Sequence, residues 1–260
     1  MTTMRFVLQS DPGVSLMERR AVDHACMLRD DMRIAGRQSI EDLARIPFGA
    51  IHEQRSACPV GTVEFCRAWM RAAGVPEPEP VDYPAALQDA LQRQVVLAPF
   101  SDVAFGAWVK PVRTKAWTPH VKRSAAAHAP DERVWTSAVI PETDWLAEWR
   151  IYVASGVHIG SGRYDDGPRE DVHFDTALVQ SWIDRFEASG QALAGYALDV
   201  ALWPNGQTVL VEVTDGWAIG YYRGDCSPAH YATLLAERWR EIAGRSVARA
   251  KDSGHGGGMA

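Results

Sequence analysis

The sequence predicts a protein of mixed helices and strands, because segments with a helical pattern precede a region in which strand patterns are frequent. The pattern changes near Val95, after which strands dominate. Strands are predicted near residues 107–111, 134–140, 147–154 and 157–163, and a further hairpin is centred on Asn205-Gly206. Asn-Gly is the strongest two-residue signal for a tight turn between strands.

Before Val95, the sequence predicts one strand and three helices. The strand covers residues 4–9, and the helices cover about 16–31, 61–73 and 83–92. Residues 32–57 have no regular pattern. Gly74-Val-Pro-Glu-Pro-Glu-Pro80 is predicted to be an extended connector, since each proline disfavours helix in the residue before it. Further helices are predicted at 175–188 and from Ser227-Pro228 to about Gly244.

Composition narrows the classes of function. The chain has 260 residues, a net charge of −6 and a pI of about 5.8, so long nucleic acids and anionic membranes are not expected partners. The four cysteines lack C-x-x-C spacing, which argues against a zinc site and a disulfide framework and fits a reducing cytoplasm. The N-terminus lacks the pattern of a signal peptide, and no apolar stretch reaches the length of a membrane span.

Two carboxylates are the most informative chemical feature. If Asn205-Gly206 forms the loop, Trp203 pairs with Thr208 and Asp199 lies directly opposite Glu212. Like charges in that arrangement destabilise a sheet, and a bound Mg²⁺ would offset the repulsion. An ordinary hairpin with acids on its solvated face is the alternative. The apolar residues around Glu212 predict a buried strand, where a lone carboxylate is rare.

Basic residues on other strands are candidate phosphate ligands. Lys110 leaves an apolar strand into a cationic loop that includes Lys115, although most such lysines are solvated surface residues. Glu148 and Arg150 share one face of their strand, as a structural ion pair or as a phosphate clamp oriented by the acid. Arg163 on the next strand is a further candidate cation.

Several short motifs occur together in order. They are Trp108-Val-Lys110-Pro, Lys115-Ala-Trp117-Thr, Trp145-Leu-Ala-Glu148-Trp-Arg150-Ile-Tyr, Asp199-Val and Val211-Glu212-Val-Thr214-Asp215-Gly-Trp217-Ala-Ile-Gly220-Tyr-Tyr222. In this order and spacing, the C-terminal two-thirds of the chain resembles the ATP-grasp superfamily. More closely, it resembles the bacterial and phage clade that is named for an arginine-to-lysine exchange.

The resemblance implies an α+β fold in which two β-rich lobes clamp ATP. It implies an ATP-grasp domain at 99–246, preceded by a smaller α/β region at 1–98 on the substrate side. The glycine-rich tail at 247–260 is predicted to be disordered from its composition. It assigns ATP and Mg²⁺ as cofactors. The nucleotide-binding residues would be Lys110, Lys115, Val139, Ile140, Glu148, Arg150 and Arg163, with Lys110 and Arg150 also catalytic, and the metal ligands would be Asp199, Glu212 and Thr214.

The activity implied by the resemblance is a ligase reaction. A carboxylate would be activated as an acyl phosphate and attacked by an amine, on small-molecule or peptide substrates that the sequence does not identify. Thr214 stands where the family usually has asparagine, so an ATP-binding sensor with weak or no turnover is the alternative. A metal-dependent nuclease is a weaker alternative, because Thr214 occupies the position where a common nuclease pattern requires lysine.

Overall fold

Three sheets organise the chain in a computed structural model, which describes residues 3–12, 16–139, 145–165 and 171–253. Within these ranges the α-helices are α1 (Met17–Leu28), α2 (Ile40–Arg45), α3 (Val63–Ala73), α4 (Thr176–Ala188) and α5 (Pro228–Ser253). The strands are β1 (Met4–Gln9), β2 (Met32–Gln38), β3 (Cys58–Val60), β4 (Val96–Pro99), β5 (Trp108–Pro111), β6 (His120–Val121), β7 (Arg133–Ser137), β8 (Ala147–Ala154), β9 (Val157–Arg163), β10 (Gly195–Leu202) and β11 (Thr208–Asp215).

The N-terminal sheet is parallel, with strand order β2-β1-β3. Its first strand matches the prediction, but β2 and β3 lie in or beside the stretch without a regular pattern. The sequence of β2, Met-Arg-Ile-Ala-Gly-Arg-Gln, has charges and a glycine that conceal its strand character. Helix α3 begins at Val63, where the Thr62 side chain accepts from the Phe65 amide, and ends at Gly74 in the left-handed region.

A small antiparallel sheet with strand order β4-β7-β5-β6 carries Lys110 on β5. Strand β7 ends at Ser137, earlier than the predicted 140, and Val139 follows it as a largely exposed residue. The Val139 amide donates to the Ser137 hydroxyl at 3.2 Å and not to a neighbouring strand. Ile140, which was predicted to bind the nucleotide together with Val139, lies outside the described residues.

The larger antiparallel sheet has the order β11-β10-β8-β9 and lies between two cores. On one face, Ile151, Val153 and Leu198 pack with α4 and with the 3₁₀ helix Ala85–Leu91. On the other face, Tyr152, Ala154 and Ala197 pack with α5 and with the N-terminal sheet and its helices. A sheet covered on both sides explains why β10 is buried along its whole length.

The division of the chain at residues 98 and 246 stays a prediction. Residues just before 98 pack within the core of the larger sheet, and the Asp82 carbonyl accepts from the Val213 amide at 2.8 Å. Helix α5 continues past Gly244 to Ser253, because the residues that follow this glycine are mostly good helix formers. Among the described helices, none combines the length and apolar character that crossing a bilayer requires.

Candidate functional site

The β10–β11 hairpin places Asp199 directly opposite Glu212, as predicted. The prediction was wrong about the loop, because Thr208 pairs with Leu202 and not with Trp203. The loop is therefore longer than two residues. A bulge at Val211 lies between the pairs Val200–Leu210 and Asp199–Glu212. It brings Glu212 opposite Asp199 in spite of the longer loop. Such an extra residue shifts the register by one and turns the following side chains to the other face.

Arg150 on β8 lies opposite Asp199 on the other side of β10. Its guanidinium grips the carboxylate with two hydrogen bonds, Nε to Oδ1 at 2.8 Å and Nη2 to Oδ2 at 2.6 Å. The Thr214 hydroxyl also donates to Oδ2, at 3.2 Å. Burial would lower the pKa of Arg150, but the Asp199 carboxylate outweighs burial and holds that pKa above its usual value.

Lys110 reaches the same region from the small sheet. Its Nζ donates to Asp82 Oδ1 at 2.7 Å and forms an ion pair with Glu212. Burial alone would lower the pKa of Lys110, and the two acids more than reverse that effect. Burial raises the pKa of Asp82, whereas the pKa of Glu212 is lowered because Lys110 outweighs the burial of that carboxylate. The Lys110 ammonium therefore links the small sheet, the larger sheet and the segment that follows the proline-rich connector.

Two tyrosines enclose the Arg150 guanidinium. Its central carbon lies 5.5 Å from the ring centre of Tyr164 and 5.3 Å from that of Tyr222, within the range of cation–π attraction. The Tyr164 hydroxyl donates to Glu148, on the same face of β8 as Arg150. Burial raises the pKa of Glu148 to about 8, with Asp199 and Glu212 adding to the effect of burial. The Glu148 carboxyl therefore keeps its proton to a higher pH than a free glutamate does.

Arg163 does not join this group. It pairs with Trp149, whose side chain packs into the core behind the sheet, so strand alternation turns Arg163 to the face opposite Arg150. There it donates to both carboxylate oxygens of Asp165, at 2.7 and 2.8 Å. The structure therefore does not bring Arg163 to this group, because the expectation used the strand but not the side-chain parity, and nucleotide binding by Arg163 stays a prediction.

An open cleft lies between the two antiparallel sheets. Its walls include Asp82, Lys110, Thr114, Lys115, Arg150, Glu212, Thr214 and Trp217, and its volume, with the solvent space at the mouth, is about 600 Å³. Lys115 occupies a left-handed turn, with φ +51°, a costly conformation for a residue other than glycine. Asp199 lies behind Arg150 and is 1% exposed. Val139 is not among the residues that line this cleft.

Asp215, the next residue after Thr214, has a bracing role. Both of its carboxylate oxygens accept from Arg238 of α5, at 2.7 and 2.5 Å, and Oδ1 also accepts from the Trp217 amide. Arg238 in turn bonds Glu241 at 2.8 Å. This network ties the end of β11 to α5.

Sequence reasoning missed Asp82, Arg93, Tyr164 and Tyr222. Asp82 follows a proline-rich connector, and Arg93 stands between two glutamines, where no periodic pattern marks either residue. Tyr222 belongs to one of the motifs on which the family resemblance rests. That motif was the one sequence signal that could have pointed to Tyr222. Its backbone crosses strand β9 so closely that a side chain at Gly162 would overlap the Tyr222 carbonyl, at 2.5 Å.

Comparisons with known proteins agree with this architecture. Residues 91–234, more than half of the chain, match the model of the ATP-grasp domain, family 2 of the arginine-to-lysine clade. A search of curated protein sequences finds no significant match.

Solved structures support the same fold. D-alanine–D-alanine ligase from Bacillus anthracis, complexed with ATP, superposes with a TM-score of 0.50 at 13% identity, over 96% of this chain and 100% of that chain. The ATP-grasp ligase PsnB, complexed with its minimal precursor, gives 0.51 at 11% identity, over 90% and 99%. The chain belongs to the ATP-grasp family, in family 2 of the arginine-to-lysine clade.

Proposed function

We propose that the protein is an ATP- and Mg²⁺-dependent ligase that activates a carboxylate as an acyl phosphate for attack by an amine. One observation carries this proposal. Lys110, Arg150 and Glu212 line one cleft in a member of the ATP-grasp family, and Asp199, opposite Glu212 on the hairpin, lies directly behind Arg150. The substrates would be small molecules or peptides.

The residues present suit a magnesium–phosphate complex. Mg²⁺ prefers oxygen ligands and is commonly held by one or two carboxylates together with substrate phosphates. In the described part of the chain no three His, Cys, Asp or Glu side chains form a ready-made metal cluster, so the phosphates would complete the shell. Asp199 and Glu212 would hold the cation, with Thr214 as a weaker oxygen ligand. Lys110, Lys115 and Arg150 would bind phosphate oxygens.

Each buried charge at the cleft is now paired with another protein group. Lys110 is paired with Glu212, and Arg150 with Asp199. A bound magnesium–phosphate complex would exchange these partners, because the carboxylates would turn to the cation and the basic groups to the phosphate. The bound metal would neutralise charge on the transferred phosphoryl group. The tyrosines around Arg150 would keep its fork oriented during this exchange.

The proposed reaction needs no nucleophile from the protein. A substrate carboxylate oxygen attacks the terminal phosphorus of ATP, the bond from that phosphorus to the bridging oxygen breaks, and ADP leaves. The amine nitrogen then attacks the acyl carbon, the bond from that carbon to the phosphate oxygen breaks, inorganic phosphate departs, and the nitrogen gives up one proton to solvent to leave an amide. Lys110 and Arg150 would contribute by positioning the phosphate and by stabilising charge on its oxygens.

Calorimetry and ADP release test the proposal. Wild-type protein is titrated with ATP in the presence and absence of Mg²⁺, and ADP formation is then followed with pools of amino acids and peptides. We expect magnesium-dependent binding and ADP release that requires both a carboxylate and an amine. Absence of nucleotide binding, or ATP-independent cleavage of DNA or RNA, would contradict the proposal.

An ATP-binding sensor is the second candidate function. Thr214 replaces the usual amide ligand, and its hydroxyl already donates to Asp199. A hydroxyl is a poorer magnesium ligand than an amide oxygen, so binding could persist without turnover. Magnesium-dependent ATP binding with no ADP release from any substrate pool would favour the sensor.

For either function, the four free thiols support a reducing compartment such as the cytoplasm.

A further inference from the structure

Glu212 reaches the cleft only because β11 contains an extra residue. Between the loop and the bulge, paired residues are Leu202–Thr208, Ala201–Val209 and Val200–Leu210. If that register continued, Glu212 would pair with Leu198, whose side chain is buried in the core behind the sheet. The unpaired Val211 shifts the register by one residue, so that Glu212 instead shares the face of Asp199.

Arg93 binds the backbone at this bulge. Its Nη2 donates to the Val211 carbonyl at 2.7 Å and its Nη1 to the Leu210 carbonyl at 3.3 Å. Strand β11 is the edge of its sheet, and no other strand within the described ranges pairs with its outer side. The Asp82 carbonyl accepts from the Val213 amide at 2.8 Å. The edge is therefore held on both sides of Glu212.

Placing an arginine side chain at this position costs free energy. Burial lowers the pKa of Arg93, and its Nε is buried with no partner in the part of the chain that the structure describes. The preceding residue, Gln92, adopts a left-handed conformation with φ +50° where the 3₁₀ helix ends. A strained backbone conformation and a buried charged group are retained where the surrounding structure requires them, which is common near functional sites.

We propose that Arg93 is a positioning residue for Glu212, because its planar fork holds the Val211 bulge that turns the carboxylate to the cleft and thereby sets the affinity of the site for Mg²⁺. The inference rests on the proposed function for the identity of the cation. The strand geometry that it explains does not depend on that identity. Arg93 would touch neither ATP nor the metal.

The experiment compares Arg93→Lys, which keeps the charge and loses the fork, with Arg93→Met, which loses both. Arg185→Met is the matched control, because Arg185 pairs with Asp89 at the surface of the same region. The Mg²⁺ concentration for half-maximal ATP binding is measured by calorimetry for each protein. Groups that orient metal ligands typically change metal affinity about 10–100-fold, so we expect an increase of about tenfold in Arg93→Met, a smaller increase in Arg93→Lys, and none in the control.

Amide hydrogen exchange supplies a readout that needs no ligand. Arg93→Met should speed exchange at residues 211–213 by about tenfold, with little change at 195–202 of β10. If Arg93→Met does not fold, Arg93→Lys decides the question by the same two measurements. Unchanged magnesium requirement together with unchanged exchange at 211–213 would overturn the inference. If wild-type protein binds no magnesium nucleotide, the proposed function fails, and the exchange data alone judge the role of Arg93.

Discussion

Two buried charge clusters involve neighbouring residues of strand β11, and they differ in what surrounds them. The cleft cluster comprises Asp82, Lys110, Arg150, Asp199 and Glu212. The brace cluster comprises Asp215, Arg238 and Glu241. Each contains an arginine that grips a carboxylate with two hydrogen bonds.

The Arg238–Asp215 pair of the brace cluster is sealed from solvent, whereas the Lys110–Glu212 pair of the cleft cluster is not. Arg238 and Asp215 have side chains only 2% and 5% exposed, and Asp215 also accepts from a backbone amide. Lys110 and Glu212 are instead 13% and 23% exposed and line the open cleft. Asp215 also borders this cleft, but both of its carboxylate oxygens are engaged by Arg238. Strong ion pairing alone therefore does not mark a functional site. What distinguishes the cleft cluster is that a ligand can reach its charges and replace their present partners.

The largest expected effect is on stability, in the brace cluster. Arg238→Ala leaves Asp215 buried without its cation, and loss of one partner of a buried pair typically costs about 3–5 kcal/mol. Chemical denaturation measures the loss. The control Arg185→Ala removes an exposed pair and should cost less than about 1 kcal/mol. Equal losses in the two variants would refute the distinction between sealed and exposed pairs.

The next largest effect is on catalysis, in the cleft cluster. Lys110→Ala and Glu212→Gln should each reduce ATP turnover by about 10²–10³-fold, the usual cost of removing a group that stabilises transition-state charge. Both proteins should stay folded, with a smaller loss of stability than Arg238→Ala, because water and ions can enter the cleft. Turnover assays and denaturation curves are compared for the same preparations. Unchanged turnover in both variants would show that the site lies elsewhere.

An effect that is smaller per pH unit concerns Glu148. The folded protein raises the pKa of this group from 4.5 to about 8, so the native state binds the proton more tightly than the unfolded state does. Glu148 therefore lowers stability progressively as pH rises from about 4.5 to 8, with a slope of at most about 1.4 kcal/mol per pH unit.

Glu148→Gln removes this ionisation and should flatten the dependence of the unfolding free energy on pH between about 5 and 8. Glu187→Gln is the matched control, since Glu187 also accepts from a tyrosine hydroxyl, that of Tyr196, but lies away from the cleft. A wild-type slope retained in Glu148→Gln would contradict the assignment.

The smallest expected effect is a gain. Thr214→Asn introduces an amide oxygen beside Asp199, a better magnesium ligand than the threonine hydroxyl, and its NH₂ group can still donate to that carboxylate. We expect a few-fold lower Mg²⁺ requirement for ATP binding, measured by calorimetry. A requirement that stays the same or rises would place Thr214 outside the metal site.

Local signals predicted much of the fold. Strands β8 and β9 match their predicted bounds, and the Ser155-Gly156 turn between them has the positive φ angles of a tight hairpin, +47° and +76°. Alternation along β8 correctly placed Glu148 and Arg150 together. Strand β2 was missed because its seven residues mix charges with apolar groups and carry no clear period.

The carboxylate pair was predicted for a partly wrong reason. The loop is longer than the Asn-Gly rule gives, and the Val211 bulge compensates for it by one residue. No local pattern encodes that bulge, because Arg93 holds it from more than a hundred positions earlier in the chain. Asp82 was missed for the same reason, since its partners Lys110 and Val213 are distant in sequence. Contacts of this kind depend on how the sheets pack, which single-sequence patterns do not report.

The central claim is best tested by a crystal structure with a non-hydrolysable ATP analogue and magnesium. The account predicts a metal ion between Asp199 and Glu212, with the terminal phosphate bound by Lys110 and Arg150 in place of their present carboxylate partners. A nucleotide bound elsewhere, or a cleft in which both ion pairs persist beside the bound phosphate, would contradict it.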